Sequence, residues 1–169
     1  MGRSIIMTSS QVVIHRFDPS QIEPGFAEAL FHVANTGFQN QSPWTVKQIQ
    51  GTLDTKSSLL HYATIEQMVV GFIMASVTLD MVDVLMVVVS EDYKQRSIGT
   101  KLFEALMAYC QEQHIAEILL ETRITNTPAI GLYERVGFQQ VGLRKAYYSS
   151  PIEDAIIMKK EIKEEMNDC

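Results

Sequence analysis

The stretch VLMVVVSEDYKQRSIGTKLFEALMAYC, residues 84–110, carries three successive patterns that decide the fold. Residues 84–89 form an apolar, valine-rich run of the kind that makes a strand buried on both faces. The polar segment at 90–100 then leads into a helix, because apolar residues recur at helical spacing from Ile98 to Cys110. A buried strand, a polar loop and an amphipathic helix in this order predict a ligand site beyond the carboxyl end of the strand.

The sequence before this stretch predicts one strand, two helices and a hairpin. Asp18-Pro19-Ser20 interrupts a β-branched and aromatic run, and Gly37 and Pro43 separate two stretches with helical spacing. Two further apolar runs are separated only by Glu66-Gln67, which predicts a tight hairpin. The predicted bounds are 12–17 for the strand, 22–37 and 43–53 for the helices, and 59–65 and 68–79 for the hairpin strands.

The sequence after it predicts a strand, a helix and two final strands. Asn126 and Pro128 mark a capped helix start after a short apolar run at 118–122, and Gly137 ends this helix. The final strands are expected at 138–143 and 155–158. Three antiparallel strands followed by strand–helix–strand predict a mixed α/β sheet, mostly antiparallel, with helices packed on it.

Length and composition narrow the function classes. The 169 residues suit a single domain, expected at 12–162 between a flexible leader at 1–11 and a solvated tail at 163–169. The formal net charge of −6 argues against nucleic-acid binding, which needs a basic surface. No apolar run reaches the roughly 20 residues of a membrane span, and the start is a poor secretory signal.

The cysteines and histidines predict neither a disulfide nor a metal site. Cys110 lies in a helical pattern and Cys169 ends the chain, so two free thiols and a cytoplasmic protein are expected. No metal is expected because the histidines lack the spacing of metal ligands. They are His15, His32, His61 and His114.

The polar loop at 90–100 has the features of an anion-binding turn. Backbone N–H groups at the start of a helix point outward, and the helix dipole adds partial positive charge. Lys94 and Arg96 add formal charge beside them. A pyrophosphate would be well held here, although an ordinary solvated turn explains the local pattern equally well.

In this loop the chain resembles the GNAT superfamily of N-acetyltransferases, whose loop follows Q/R-x-x-G-x-G/A and binds the CoA pyrophosphate through backbone amides. Lys94 and Ser97 depart from that pattern, and Gly99 keeps it. A positive φ at Ser97 would cost stability or cofactor affinity; we expect a negative φ, with the hydroxyl able to face a phosphate. The resemblance implies acetyl-CoA contacts at Val87, Val88, Val89, Lys94, Gln95, Arg96, Ser97, Ile98, Gly99 and Thr100.

A second segment carries the resemblance further. The family pattern N-x-x-A-x-x-x-Y-x-x-x-G-F is matched at Asn126, Ala129, Tyr133, Gly137 and Phe138. The chain is more similar still to the bacterial ribosomal-protein N-acetyltransferases of the RimI type, over residues 42–45 and 144–148 and in total from about 12 to 162. The resemblance implies an acyl-CoA N-acyltransferase fold with a central parallel strand pair. It also implies acetyl transfer to an amine, the first candidate being the amino terminus of a protein such as a ribosomal protein.

Acetyl transfer needs a neutral amine and a way to neutralise the departing thiolate. An α-amine, with a pKa near ~8, loses its proton more readily than a lysine, with a pKa near ~10.4. Glu121, at the end of a buried strand, can accept that proton, and Tyr133 can donate one to the sulfur. The resemblance implies the same roles, base and acid, and a cofactor contact for Asn126.

Each of these residues also has a purely structural interpretation. Glu121 can be ion-paired with Arg123 or Lys145, the Tyr133 phenol can be a simple hydrogen-bonding group, and Asn126 can be only a helix cap. On the acceptor side, the resemblance implies substrate contacts at Tyr147 and Tyr148. Trp44 can line the same groove or anchor the second helix.

Two other functions stay open at this level. A small-amine acetyltransferase, acting on a polyamine, an amino acid or an aminoglycoside, would share the cofactor site and differ around Trp44 and Tyr147. A weakly catalytic regulator that binds acyl-CoA would explain Lys94 and Ser97. The presence of both Glu121 and Tyr133 argues against the regulator.

Overall fold

The computed structural model describes residues 11–163, so most of the predicted leader and tail, with Cys169, lies outside the described residues. The strands are β1 (Val13–Arg16), β2 (Ser58–Ile65), β3 (Met68–Thr78), β4 (Met81–Val89), β5 (Glu117–Arg123), β6 (Gln139–Tyr148) and β7 (Glu153–Glu161). The α-helices are α1 (Phe26–Gly37), α2 (Val46–Leu53), α3 (Ile98–Glu112) and α4 (Thr127–Arg135).

The strands form one sheet in the order β1-β2-β3-β4-β5-β7-β6. Neighbouring strands are antiparallel except β4 and β5, which run parallel at the centre. A parallel pair needs a crossover, and α3 supplies it. The predicted mixed α/β sheet with a central parallel pair is confirmed.

Helices cover the two faces of the sheet with separate cores. On one face, α3 buries Leu102, Phe103 and Leu106 against the sheet, and α4 adds Tyr133. On the other face, α1 and α2 pack on β2, β3 and β4 around Phe72. On this second face, the charged side chains of β5 lie beside the area on which α1 and α2 pack. The candidate site is located there.

The central strands separate halfway along their length. β4 pairs with β5 from Met81↔Glu117 to Val84↔Leu120, and β5 then continues against β7 as far as Arg123. Leu85 is an extra residue in β4, because β3 pairs Met74 with Met86 and Ala75 with Val84. Such a bulge bends a strand and increases its twist. A cleft therefore opens between β4 and β5 at Leu85.

Most predicted elements are confirmed, and the differences have local causes. The hairpin turns at Glu66 and Gln67, both with positive φ (50° and 68°) as a two-residue hairpin requires. The first helix begins at Phe26 rather than Ile22, because Gly25 enters it with a φ of 86°. The expectation that β4 is buried on both faces is wrong at the bulge, where Leu85 is 43% exposed.

The remaining elements agree in type and differ in length. α2 begins after Pro43, and Thr45 and Gln48 form a capping box at its start. Asn126 caps α4, and Gly137 follows its end with a φ of 102°. β6 and β7 are longer than predicted because their outer residues pair along polar sequence, which carries no apolar signal.

Candidate active site

The loop between β4 and α3 is shaped by two left-handed residues. Gln95 has a φ of 66°, and Ser97, at the N-terminal end of α3, has φ 60° and ψ 21°. The predicted negative φ at Ser97 is therefore wrong. A left-handed conformation costs a residue with a Cβ about 1–2 kcal/mol. Turns that place right- and left-handed residues side by side gather backbone N–H groups into a concave anion site.

The Lys94 side chain is directed away from these amides. Its ammonium lies 2.8 Å from the Glu91 carboxylate and donates to the Gly37 carbonyl at 3.0 Å. It therefore satisfies a carbonyl at the end of α1, where positive charge is favourable. The Arg96 guanidinium lies 5.2 Å from the centre of the Tyr93 ring. A contact of either residue with the cofactor stays a prediction.

Two glycines allow helices to approach the cleft closely. A Cβ on Gly37 would lie 2.3 Å from Val88 Cγ2 and 2.6 Å from the Val89 carbonyl oxygen. The end of α1 therefore packs directly against the last residues of β4. A Cβ on Gly99 would lie 3.0 Å from Leu132 Cδ2 of α4. Gly99 thus brings the first turn of α3 close to α4, a packing role that the phosphate-loop pattern alone does not predict.

The end of β4 and the loop after it lead to the start of a helix, where an anion is favoured. Beyond Val84, β4 runs on to Val89 outside its ladder with β5, so its backbone edge faces the cleft. The strand leads through the loop to the N-terminal end of α3, a 15-residue helix whose dipole favours an anion there. The three predicted contacts at Val87, Val88 and Val89 lie on that edge. Val88 buries its side chain, as expected of a core residue.

Glu121 is the first β5 residue beyond the last pair with β4. Its side chain is 29% exposed, and its Oε1 atom lies 3.2 Å from Arg144 Nε. Glu121 is thus ion-paired, but the predicted partners, Arg123 and Lys145, are wrong, because the partner is Arg144. Arg123 instead pairs with Glu153 at 3.0 Å.

Tyr133 is held in an aromatic cluster of α3 and α4. Its ring lies 5.7 Å from Phe103 and 6.2 Å from Phe138, in edge-to-face geometry, and the residue is only 7% exposed. Burial, with a smaller effect of Tyr148, raises the pKa of the Tyr133 phenol well above its ordinary value. The phenol therefore carries its proton at neutral pH.

Asn126 has a structural role at the start of α4. Its side-chain oxygen accepts a hydrogen bond from the Ala129 N–H at 3.4 Å, as an N-cap does. The loop before it is pinned by Glu153, which accepts from the N–H and the hydroxyl of Thr125. These bonds lower the pKa of Glu153, and the bond from the Thr125 hydroxyl has the largest effect. A cofactor contact of Asn126 stays a prediction.

The tyrosine pair lies beside Glu121. The Tyr147 and Tyr148 rings are 5.1 Å apart, and Tyr148 stacks 4.4 Å from the Arg123 guanidinium. The pKa of Tyr147 is raised, chiefly by a hydrogen bond to the Glu121 carboxylate. The structure therefore brings both tyrosines to the candidate base. Trp44 instead packs against the core under α1 and α2, which agrees with the anchoring interpretation.

Three charged residues around Glu121 were not predicted from the sequence. Arg144 pairs with it, Glu153 pins the loop before α4, and Asp83 lies close enough to be affected by its charge. Burial raises the pKa of Asp83, and the negative charges of Glu121 and Glu117 raise it further. No local pattern marks these residues, since each meets its partner only through strand pairing across the sheet.

Within residues 11–163, no group of His, Cys, Asp and Glu side chains is arranged to hold a metal ion. No helix in that part of the chain is long and apolar enough to cross a membrane.

His61, on β2, is 5% exposed with an unpartnered Nδ1 atom.

Comparisons with known proteins agree on one family. The sequence model of the Acetyltransferase (GNAT) family matches residues 26–138. A Bacillus subtilis protein with a provisional name as ribosomal protein bS18-alanine N-acetyltransferase is 33% identical over 119 residues, covering 69% of this chain and 78% of that protein. The ribosomal protein bS18-alanine N-acetyltransferase of Escherichia coli is 29% identical over 141 residues, covering 82% and 93%. The crystal structure of the ribosomal-protein-S18-alanine N-acetyltransferase from Escherichia coli has a TM-score of 0.80 at 25% identity, covering 94% of this chain and 99% of that one.

Proposed function

The chain belongs to the GNAT family of acetyltransferases, and we propose that it acetylates the amino-terminal α-amine of a protein, with a ribosomal protein as the first candidate. Similarity to a ribosomal protein bS18-alanine N-acetyltransferase over 82% of the chain carries this proposal. That similarity extends well beyond the cofactor half of the site. The acceptor, unlike the acetyl donor, is specified by the loops around it.

Acetyl-CoA, when bound, supplies an acetyl thioester whose C–S bond breaks as the amine nitrogen bonds to the acetyl carbon. The backbone N–H groups from Gln95 to Thr100 would hold its diphosphate at the start of α3. The edge of β4 at Val87, Val88 and Val89 would hold the arm that carries the thioester. Backbone groups suit this task because they are rigid and need no side-chain ordering.

Glu121 is proposed as the base. An amino terminus arrives mostly as an ammonium ion near neutral pH, so it must lose a proton before its nitrogen can attack. The Glu121 carboxylate lies at the mouth of the cleft and takes that proton, directly or through one water molecule. Its 29% exposure leaves it reachable from solvent.

Tyr133 is proposed as the acid. The leaving sulfur departs as a thiolate, and the phenol of Tyr133 gives it a proton. A tyrosine phenol, with an ordinary pKa near ~10, holds its proton at neutral pH until then. In each turnover the nitrogen, which begins as an ammonium ion, loses two protons. Glu121 takes the first before the attack and passes it to solvent. The second leaves as the amide forms and replaces the proton that Tyr133 has given to the sulfur.

The acceptor side favours a chain end over a small free amine. The face of β5 that carries Glu121 lies outside the main area on which α1 and α2 pack. Tyr147 is 51% exposed and borders that face. A first residue as small as alanine would place its amine near Glu121 while its carbonyl side continues past the tyrosines.

Release of CoA thiol is the direct test, with acetyl-CoA and a panel of amines. The panel contains peptides that begin with alanine, the same peptides already acetylated at the amino terminus, a lysine peptide with a blocked terminus, and spermidine. We expect release only with the open alanine peptides, and a mass increase of one acetyl group at the α-amine. Release only with spermidine or only with the lysine peptide would refute the proposed acceptor. Tight acetyl-CoA binding without turnover on any amine would refute the proposed reaction.

A further inference from the structure

Two side chains of β6 bind the carboxylate of the candidate base. Arg144 Nε lies 3.2 Å from Glu121 Oε1. The Arg144 guanidinium carbon lies 5.5 Å from the centre of the Tyr147 ring, which places the Tyr147 phenol near the same carboxylate. The proximity of Glu121 raises the pKa of that phenol. We call Glu121, Arg144 and Tyr147 together the Glu121 clamp.

An irregularity in β6 brings both donors to the same place. Between the pairs Arg144↔Ala155 and Tyr148↔Glu153, β6 has three residues where β7 has one. Ala146 takes a φ of 50° there, and its N–H donates to the Asp154 carboxylate at 2.8 Å. In a regular strand, neighbouring side chains alternate between faces. Here the consecutive Tyr147 and Tyr148 both reach groups of β5, because the bulge turns the chain between them and Arg144.

We propose that Arg144 and Tyr147 are positioning residues that orient the Glu121 carboxylate toward the cleft between β4 and β5. The inference rests on the proposed function, since it requires Glu121 to accept a proton from the acceptor amine. A carboxylate offers about four lone-pair positions, so two fixed donors still leave room for that proton. Both donors keep their protons at working pH, because a guanidinium does not titrate in proteins and the pKa of Tyr147 is raised.

The exposure of the clamp argues against a mainly structural role. The Arg144 side chain is 55% exposed. An ion pair this accessible contributes only about 0–1 kcal/mol to folding. Catalysis is more sensitive to position than folding is, since a shift of about 1 Å at a reacting group can lower a rate up to about 100-fold. Loss of the clamp should therefore affect turnover without unfolding the protein.

A double-mutant cycle on acetyl transfer to an alanine peptide tests the clamp. The variants are Arg144→Gln, Tyr147→Phe and Glu121→Gln, singly and combined, with Lys145→Gln as the matched control. Lys145 is an exposed cation next to Arg144, and it takes part in no ion pair recorded for residues 11–163. Melting temperatures establish that each variant is folded.

We expect R144Q and Y147F each to lower kcat about 10-fold, with the KM for acetyl-CoA changed less than about twofold. In the E121Q background neither change should lower kcat further, because both act through that carboxylate. K145Q should match the wild-type enzyme. Wild-type kcat in R144Q, or full additivity with E121Q, would overturn the inference. Wild-type kcat in E121Q is a separate result: it would remove Glu121 as the base and the clamp with it, while acetylation of the peptide itself would still stand.

Discussion

His61 should make the stability of this protein depend on pH between 6.5 and about 4. Burial, and secondarily the charge of Arg16, lowers the pKa of His61 from 6.5 to about 4. Because the folded-state pKa is the lower one, the unfolded chain binds a proton between these values that the folded chain does not. The free energy of unfolding is therefore not reduced by His61 above pH 6.5, and it falls as the pH drops toward about 4.

The size of the effect follows from the two pKa values. The shift from 6.5 to about 4 corresponds to at most about 3 kcal/mol. Between pH 7.5 and pH 5, linkage predicts that about 2 kcal/mol of the free energy of unfolding is lost. The imidazole is 5% exposed, so solvent screens this cost only weakly.

Urea denaturation followed by circular dichroism measures the free energy of unfolding at each pH. His61→Leu is the informative variant, because it keeps an apolar body in the core and removes both the titrating group and the unpartnered Nδ1 atom. We expect the wild-type protein to lose stability from pH 7.5 to pH 5 and the variant to lose about 2 kcal/mol less. A wild-type curve that is flat over this range, or an equal slope in the variant, would refute the assignment.

Three further substitutions test other parts of the site. Tyr133→Phe should lower kcat about 100-fold through loss of the proposed acid, with acetyl-CoA affinity unchanged by calorimetry; an undiminished rate would remove that role. Gly37→Ala should destabilise the protein by about 1–3 kcal/mol in urea, because the new Cβ would lie 2.6 Å from the Val89 carbonyl oxygen. Wild-type stability would show that α1 can withdraw from β4 at no cost. Ser97→Gly should raise acetyl-CoA affinity or the melting temperature, because the left-handed φ of 60° strains serine by about 1 kcal/mol. A loss of affinity would instead indicate that the hydroxyl contacts the ligand.

The sequence was most informative where one local rule determines structure. The apolar runs and the residues that interrupt them predicted the strands, and Asn126, Pro128 and Gly137 predicted both ends of α4. The start of α1 was missed because Ile22 continues the helical spacing, although Pro24 and Gly25 end any helix that precedes them. Apolar spacing describes which face is buried and carries no information about backbone continuity.

The candidate site was predictable only in part for the same reason. Glu121, at the end of a predicted strand, and Tyr133, in a predicted helix, were selected because the family resemblance implies roles for them. The partners of Glu121 could not be predicted, because Arg144 reaches it through the pairing of both strands with β7. The left-handed Ser97 was missed because serine itself gives no sign of a positive φ. Contacts between distant strands and backbone strain are properties of the folded chain.

The extra residue at Leu85 has a consequence for how this protein tolerates change. Val84 faces α3, and Met86 faces α1 and α2, although one residue separates them. A shortened chain lacking Leu85 would thus keep every neighbouring side chain in its present core and every pair with β3 in register. What it would lose is the bend that parts β4 from β5. We expect the two strands to pair along their full length in that variant, which would close the proposed entrance for the acetyl donor.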